Sequence, residues 1–155
     1  MYEHILVAID GSPTAERGLD EAVKLAKLCG GSLRLIHVVD PIPFTTGYEA
    51  LGSQTGQEIA SIEAAGQRLL DASRDRAVAN GATNVDTVLV ERSAERVAER
   101  IVEQAKSWAA DLIVTGTHGR RGLGRVLIGS DAEQTVRISP VPVLLVRAPE
   151  EAGPA

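Results

Sequence analysis

Cysteine is almost missing from this 155-residue chain: Cys29 stands alone, which excludes an internal disulfide framework and fits a reducing compartment. Aromatic residues make up only 3%, so a core drawn from the 44% hydrophobic fraction has to be aliphatic. No apolar run is long enough to cross a bilayer, and Met1 to Ile5 lacks the basic and apolar regions of a secretory leader. A soluble cytoplasmic protein is the expectation. A basic surplus is missing too: the net charge of -5 and pI near 5.2 argue against nucleic acid or an anionic membrane as the main partner. His4, His37 and His118 fall on separate segments without metal-ligand spacing, so no metal site is expected from them.

What is present alternates regularly. Ile5 to Ile9 is a continuous apolar run, the pattern of a strand covered on both faces. Asp10-Gly11 ends it, Ser12-Pro13 supplies an N-cap and a first-turn proline, and Gly30-Gly31 closes the helix so started. A strand from Leu33 to Val39 follows. The Pro-, Gly-, Thr- and Ser-rich stretch from Asp40 to about Gln57 reads as a mobile loop able to cover a ligand. A long amphipathic helix carrying Ile59, Ile62 and Leu69 stops near Asn80-Gly81, and Val85 to Val90 alternates like a less buried edge strand. Ser93 is the expected cap of a helix whose apolar stripe is Val97, Ile101, Ala105 and Trp108. A strand from Leu112 to Thr115, a glycine-rich link, a helix from Ser130 to Ile138 and a strand from Val141 to Val146 complete the chain.

This is an α/β pattern: a single domain over 1–148 with a disordered tail at 149–155, built on an open parallel five-stranded sheet with helices on both faces. The order 3-2-1-4-5 puts the topological switch point between strands one and four, where α/β proteins hold ligands. Asp10 and Gly116 leave those two strands.

The glycine-rich link from Gly116 to Ser130 joins a strand to a helix, the place where backbone N–H groups and the helix dipole converge on phosphate. It is neither of the best-known nucleotide loops. Gly119 to Arg125 approaches a Walker A loop but has Arg125 for the lysine and Val126 for the magnesium-binding hydroxyl, and no G-x-G-x-x-G follows the first strand. What stands there is Gly116-x2-Gly119-x9-Gly129-Ser130. With Val7 to Ser12, His37 to Asp40 and Ser139 to Val146, this spacing resembles the ATP-binding members of the universal stress protein family over nearly the whole chain.

The resemblance implies a Rossmann-like fold of the adenine nucleotide alpha hydrolase type. It implies that Asp10 and Val38 contact the adenine with Ala8 beside them, and that Gly116, His118, Gly119, Gly129 and Ser130 surround the ribose and phosphates. The ligand it implies is ATP. Asp131 departs from the family's pattern, in which an apolar residue is common after the serine: its carboxylate would repel a triphosphate if it faced the site, or could instead help recruit Mg²⁺ or Mn²⁺ as a companion ion. It also implies a homodimer through the Val141–Val146 strand and a regulatory role in the stress response, with a downstream protein partner the sequence does not name. Two other functions stay open: a slow ATPase or a phosphoryl- or nucleotidyl-transfer enzyme, for which only His118 and Asp131 offer acid-base groups, and a nucleotide-free structural dimer.

Several of these residues have plainer uses. Ser130-x-x-Glu133 is a capping box, and one hydroxyl can serve both cap and phosphate. Asp10-Gly11 is a common turn pair. His37 suits a strand end, Cys29 a small core residue and Trp108 a packing anchor. Arg120, Arg121 and Arg125 are either a solvated face or a source of one contact to a terminal phosphate.

Overall fold

The computed structural model of the protein describes residues 1–40, 54–92, 94–118 and 128–147. Its elements alternate as β1 (His4–Ala8), α1 (Pro13–Cys29), β2 (Ser32–Val39), α2 (Gln54–Ala79), β3 (Val85–Glu91), α3 (Val97–Ser107), β4 (Leu112–Gly116), α4 (Ser130–Ile138) and β5 (Val143–Val146). The strands form one sheet in the order β3-β2-β1-β4-β5, with every pairing parallel. The expected α/β architecture and strand order are therefore observed.

The period of two along each strand sorts side chains between two aliphatic layers. Ile5 and Val7 of β1, Leu33 and Leu35 of β2, and Leu112 and Val114 of β4 pack with Leu19 and Val23 of α1 and Leu70 and Ala77 of α2. Leu6, Ile36 and Ile113 face the other way and pack with Ile101, Val102 and Ala105 of α3, with Ile138 of α4 at the margin. The central strands β1 and β4 are buried on both faces, which is why they read as unbroken apolar runs. β3 lies at an edge and carries only Val90 fully buried, the exposure its polar alternation predicts.

Local chemistry sets the ends of the elements. Ser12 caps α1, its hydroxyl accepting from the Ala15 N–H with Pro13 in the first turn, and Gly30 closes the helix at φ 70°. Three expected boundaries move. α2 begins at Gln54, so the connection from Asp40 ends several residues before Gln57; the rest of that expected mobile loop lies outside the described residues. The cap of α3 is Arg96 rather than Ser93, which is itself outside the described residues: the Glu99 carboxylate reaches back to accept from the Arg96 N–H at 2.9 Å. β5 starts at Val143 rather than Val141, because the Ser139 hydroxyl folds the preceding residues into a turn, donating to the Val141 carbonyl and accepting from its N–H. The expected tail at 149–155 also lies outside the described residues.

At the amino ends of the strands, Trp108 anchors the packing as expected, half-buried and just past the end of α3. The Arg34 guanidinium lies 4.7 Å from its ring centroid while forking onto Asp86, with nitrogen–oxygen distances of 2.9 and 2.6 Å. The His4 ring is 4.9 Å from the Trp108 ring, and the Asp111 carboxylate accepts the Glu3 and His4 N–H groups. Cys29, expected in the core, is only half-buried, because it falls in the last turn of α1 where the helix leaves the sheet.

Gly66 is where α2 comes closest to the sheet: a Cβ there would lie 2.8 Å from Leu89 and 3.0 Å from both His37 and Val39. Gly66→Ala should therefore lose about 1–3 kcal/mol through overpacking, although alanine is the better helix former. Gly56→Ala, in open space on the same helix, should gain up to about 1 kcal/mol. Urea denaturation of both variants checks the opposite signs.

Candidate functional site

The switch point lies between β1 and β4, whose carboxyl ends open side by side. After β1 the chain turns sharply. The Asp10 carboxylate accepts the Ser12 N–H at 2.8 Å, and Gly11 takes φ 80°, so the plain turn role of Asp10-Gly11 is present in the structure. The turn delivers Ser12 and Thr14, both buried, to the start of α1.

These two hydroxyls join the β1 loop to the start of the glycine-rich link. The Thr14 hydroxyl donates to the carbonyl of His118, and the Ser12 hydroxyl donates to the same oxygen at 3.3 Å. The two hydroxyl oxygens are 3.2 Å apart. Gly116 makes this closeness possible, since a Cβ there would lie 2.5 Å from the Thr14 hydroxyl and 2.9 Å from the Ala15 nitrogen.

The far end of the link returns to the same place. Thr117 donates its N–H to the Val146 carbonyl at 2.9 Å, and its own carbonyl accepts the Gly129 N–H at 2.7 Å. Gly129 is thereby set at the mouth of α4. The expected capping box is absent: Gly129 is the N-cap, Ser130 is already the first helical residue, and no side chain caps the helix. The chain enters the helix one residue before the position the Ser130-x-x-Glu133 pattern implies, so the Ser130 hydroxyl, on an exposed residue, is not spent on a cap. Glu133 pairs instead with Arg137 at 2.8 Å.

His118 adds a polar group of a different kind. Its Nδ1 is 2.9 Å from the Thr117 hydroxyl, while its Nε2 is buried and has no hydrogen-bond partner among the described residues. Such an orphan ring nitrogen carries a desolvation cost that a bound polar group can relieve.

The other expected contacts fall around this centre. Ala8 ends β1 and Val38 lies near the end of β2; both are half-buried and face the α3 and α4 side of the sheet, against the same aliphatic layer. His37 points to the opposite face, buried, with Nδ1 2.6 Å from the Ile9 carbonyl, which makes it a strand-end fastener. Gly119, Arg120, Arg121 and Arg125 lie outside the described residues. Of the expected residues, Asp10, Gly116, His118, Gly129 and Ser130 belong to one connected cluster, and Ala8 and Val38 line the sheet face beside it. Ser12 was legible only as a cap and Thr14 not at all; the one available signal was a pair of hydroxyls flanking Pro13 at the switch point.

Thr14→Val keeps the side-chain shape and removes the hydroxyl donor. It should lower stability by about 1–2 kcal/mol through the poorly satisfied His118 carbonyl, or roughly 2–8 °C in melting temperature for a chain of this size; thermal melts measure it.

Known proteins are similar to this chain in sequence and in fold. A family model described as the universal stress protein family matches residues 1–147. A universal stress protein of Thermus aquaticus is 36% identical over 150 residues, covering 95% of this chain and 100% of its own. Among solved structures, universal stress protein UspA from Lactobacillus plantarum superposes with a TM-score of 0.80 at 26% identity, covering 94% of this chain and 98% of its own. A universal stress protein in complex with cAMP does so with a TM-score of 0.70 at 27% identity, covering 94% and 97%. Matched from β1 through β5 in sequence and in fold, the chain belongs to the universal stress protein family.

Proposed function

We propose that the protein is a regulatory protein of the stress response that binds an adenine nucleotide, ATP among them, at the crevice between β1 and β4. The observation that carries this is the start of α4. Its N–H groups have no side-chain cap and are tied by the Gly129–Thr117 bond to the carboxyl end of β4. A helix start so placed at a switch point is suited to phosphate. Ala8 and Val38 offer an apolar surface for the base, and the orphan Nε2 of His118 offers one further polar contact. The related protein whose structure contains cAMP supports the adenine nucleotide class. In this proposal Gly119, Gly129 and Ser130 face ribose and phosphate and Asp10 the adenine, and the nucleotide acts as a signal that alters the surface offered to a downstream protein.

A few charge-assisted hydrogen bonds suffice for a dissociation constant near ~0.1 mM. Protein purified without added nucleotide, then denatured and chromatographed, should release an adenine nucleotide, and calorimetry on the emptied protein should show saturable AMP or ATP binding. No released nucleotide together with flat titrations would overturn the proposal.

The same proposal includes a homodimer. β5 is an edge strand whose Val143, Leu144 and Leu145 are only half-buried, and an apolar edge of this kind is suited to pairing with a second copy across a two-fold axis. Light scattering at micromolar concentration should give twice the chain mass of 16.3 kDa; a monomer would contradict it.

A further inference from the structure

We infer that Glu63 of α2 and Glu91 of β3 form an acid-sensitive latch, which closes the amino-terminal half of α2 onto the sheet edge when the two carboxyls share a proton and loosens it when both are ionised. The backbone brings them together. Gly66 lies against Leu89 and Val39, the closest approach of α2 to the sheet. Glu91 follows Leu89 by two positions, so it shares that strand face, and it is the register partner of Val39, which packs on the same side. Glu63 precedes Gly66 by three positions on the same helix face. Because α2 runs back against the strands, one turn towards its start and two residues onward along β3 lead to the same place, about 4.5 Å and about 6.6 Å away respectively. The side chains meet there in a carboxyl–carboxyl hydrogen bond, which needs one proton.

That hydrogen bond, followed by lost hydration and the charge of Glu91, raises the Glu63 carboxyl above the usual glutamate range. A carboxyl raised in the folded chain contributes stability that is full at acid pH and is lost as pH rises through its folded value. The surrounding charges do not offset the repulsion that then appears. Arg92, next to Glu91, is turned to Asp40 at 3.3 Å and to the Glu95 carbonyl at 3.2 Å. From β2, the His37 ring lies against Gly66 one turn further along, with Nδ1 on the Ile9 carbonyl. Asp86 of β3 is held by Arg34 at the other end of the strand, and Glu16 and Asp20 of α1 hold Arg76 near the far end of α2. On α2 itself, Glu58 and Arg68 stand on other faces of the helix. Glu63 is half-buried and Glu91 exposed, so added salt weakens the repulsion.

The experiment follows hydrogen exchange of the full chain at about pH 5 and about pH 7, corrected for intrinsic rates, beside NMR titration of the glutamate carboxyls. Glu63→Gln supplies a neutral donor to Glu91 at every pH, and Glu91→Gln does the reverse; circular dichroism establishes that each is folded. Between those two pH values the unchanged protein should lose roughly two- to fivefold in protection over 56–66, with residues 70–79 much less affected. Both variants should abolish that loss, while Glu58→Gln, a control carboxylate on the same helix, should keep it; any titration of His37 is common to all four proteins. A loss that persists in Glu63→Gln and Glu91→Gln, one that Glu58→Gln removes equally, or a Glu63 carboxyl titrating at or below the usual glutamate range would overturn the latch.

Discussion

The carbonyl oxygen of His118 holds the switch point together. It accepts hydroxyls from Ser12 and Thr14, residues more than a hundred positions earlier in the chain, and so welds the first loop of the fold to the loop after β4. A parallel sheet that reverses its winding leaves a gap between the two central strands, because the following helices depart to opposite faces. Here α1 goes to one layer and α4 to the other. Without a polar fastener the two loops would diverge. With one, they are held close together at the carboxyl end of β4, and Gly116 is the residue that lets the fastener come so near.

The fold was legible because it rests on periodicity. Strands buried on both faces cannot avoid being apolar throughout, and helices between them repeat at 3.6 residues. Glycine spacing likewise disclosed the segment from Gly116 to Ser130. What escaped was everything set by contacts between distant residues. The link from Thr14 to His118 has no local pattern, since any hydroxyl near a helix start looks like a cap. The misplacements of the caps expected at Ser130 and Ser93 have a common origin. A hydroxyl just ahead of a helical pattern looks like a cap, but the incoming chain decides which residue is the first helical one. At α4 that choice is made by the Gly129 bond to Thr117, and at α3 by Glu99 reaching back to Arg96.

Leaving α4 without a cap costs stability in a helix of only nine residues, of which Ala132 and Thr135 alone are fully buried. Its register is kept by contacts elsewhere, through α3 and through the Thr135 hydroxyl donating to the Asp131 carbonyl within the helix. The start of α4 thus lies on an element that is otherwise secured, and the nucleotide proposed to bind there would add its binding free energy to the folding of the whole chain by linkage.

The solitary indole of the chain has a use that follows from its place in the fold. Trp108 lies beneath Arg34 at the amino ends of the strands, whereas the crevice opens at their carboxyl ends. The four steps of β4 from Leu112 to Gly116 span about 13 Å between them. Its emission is thus a built-in gauge of the closed sheet, remote from the carboxyl ends where the nucleotide is proposed to sit.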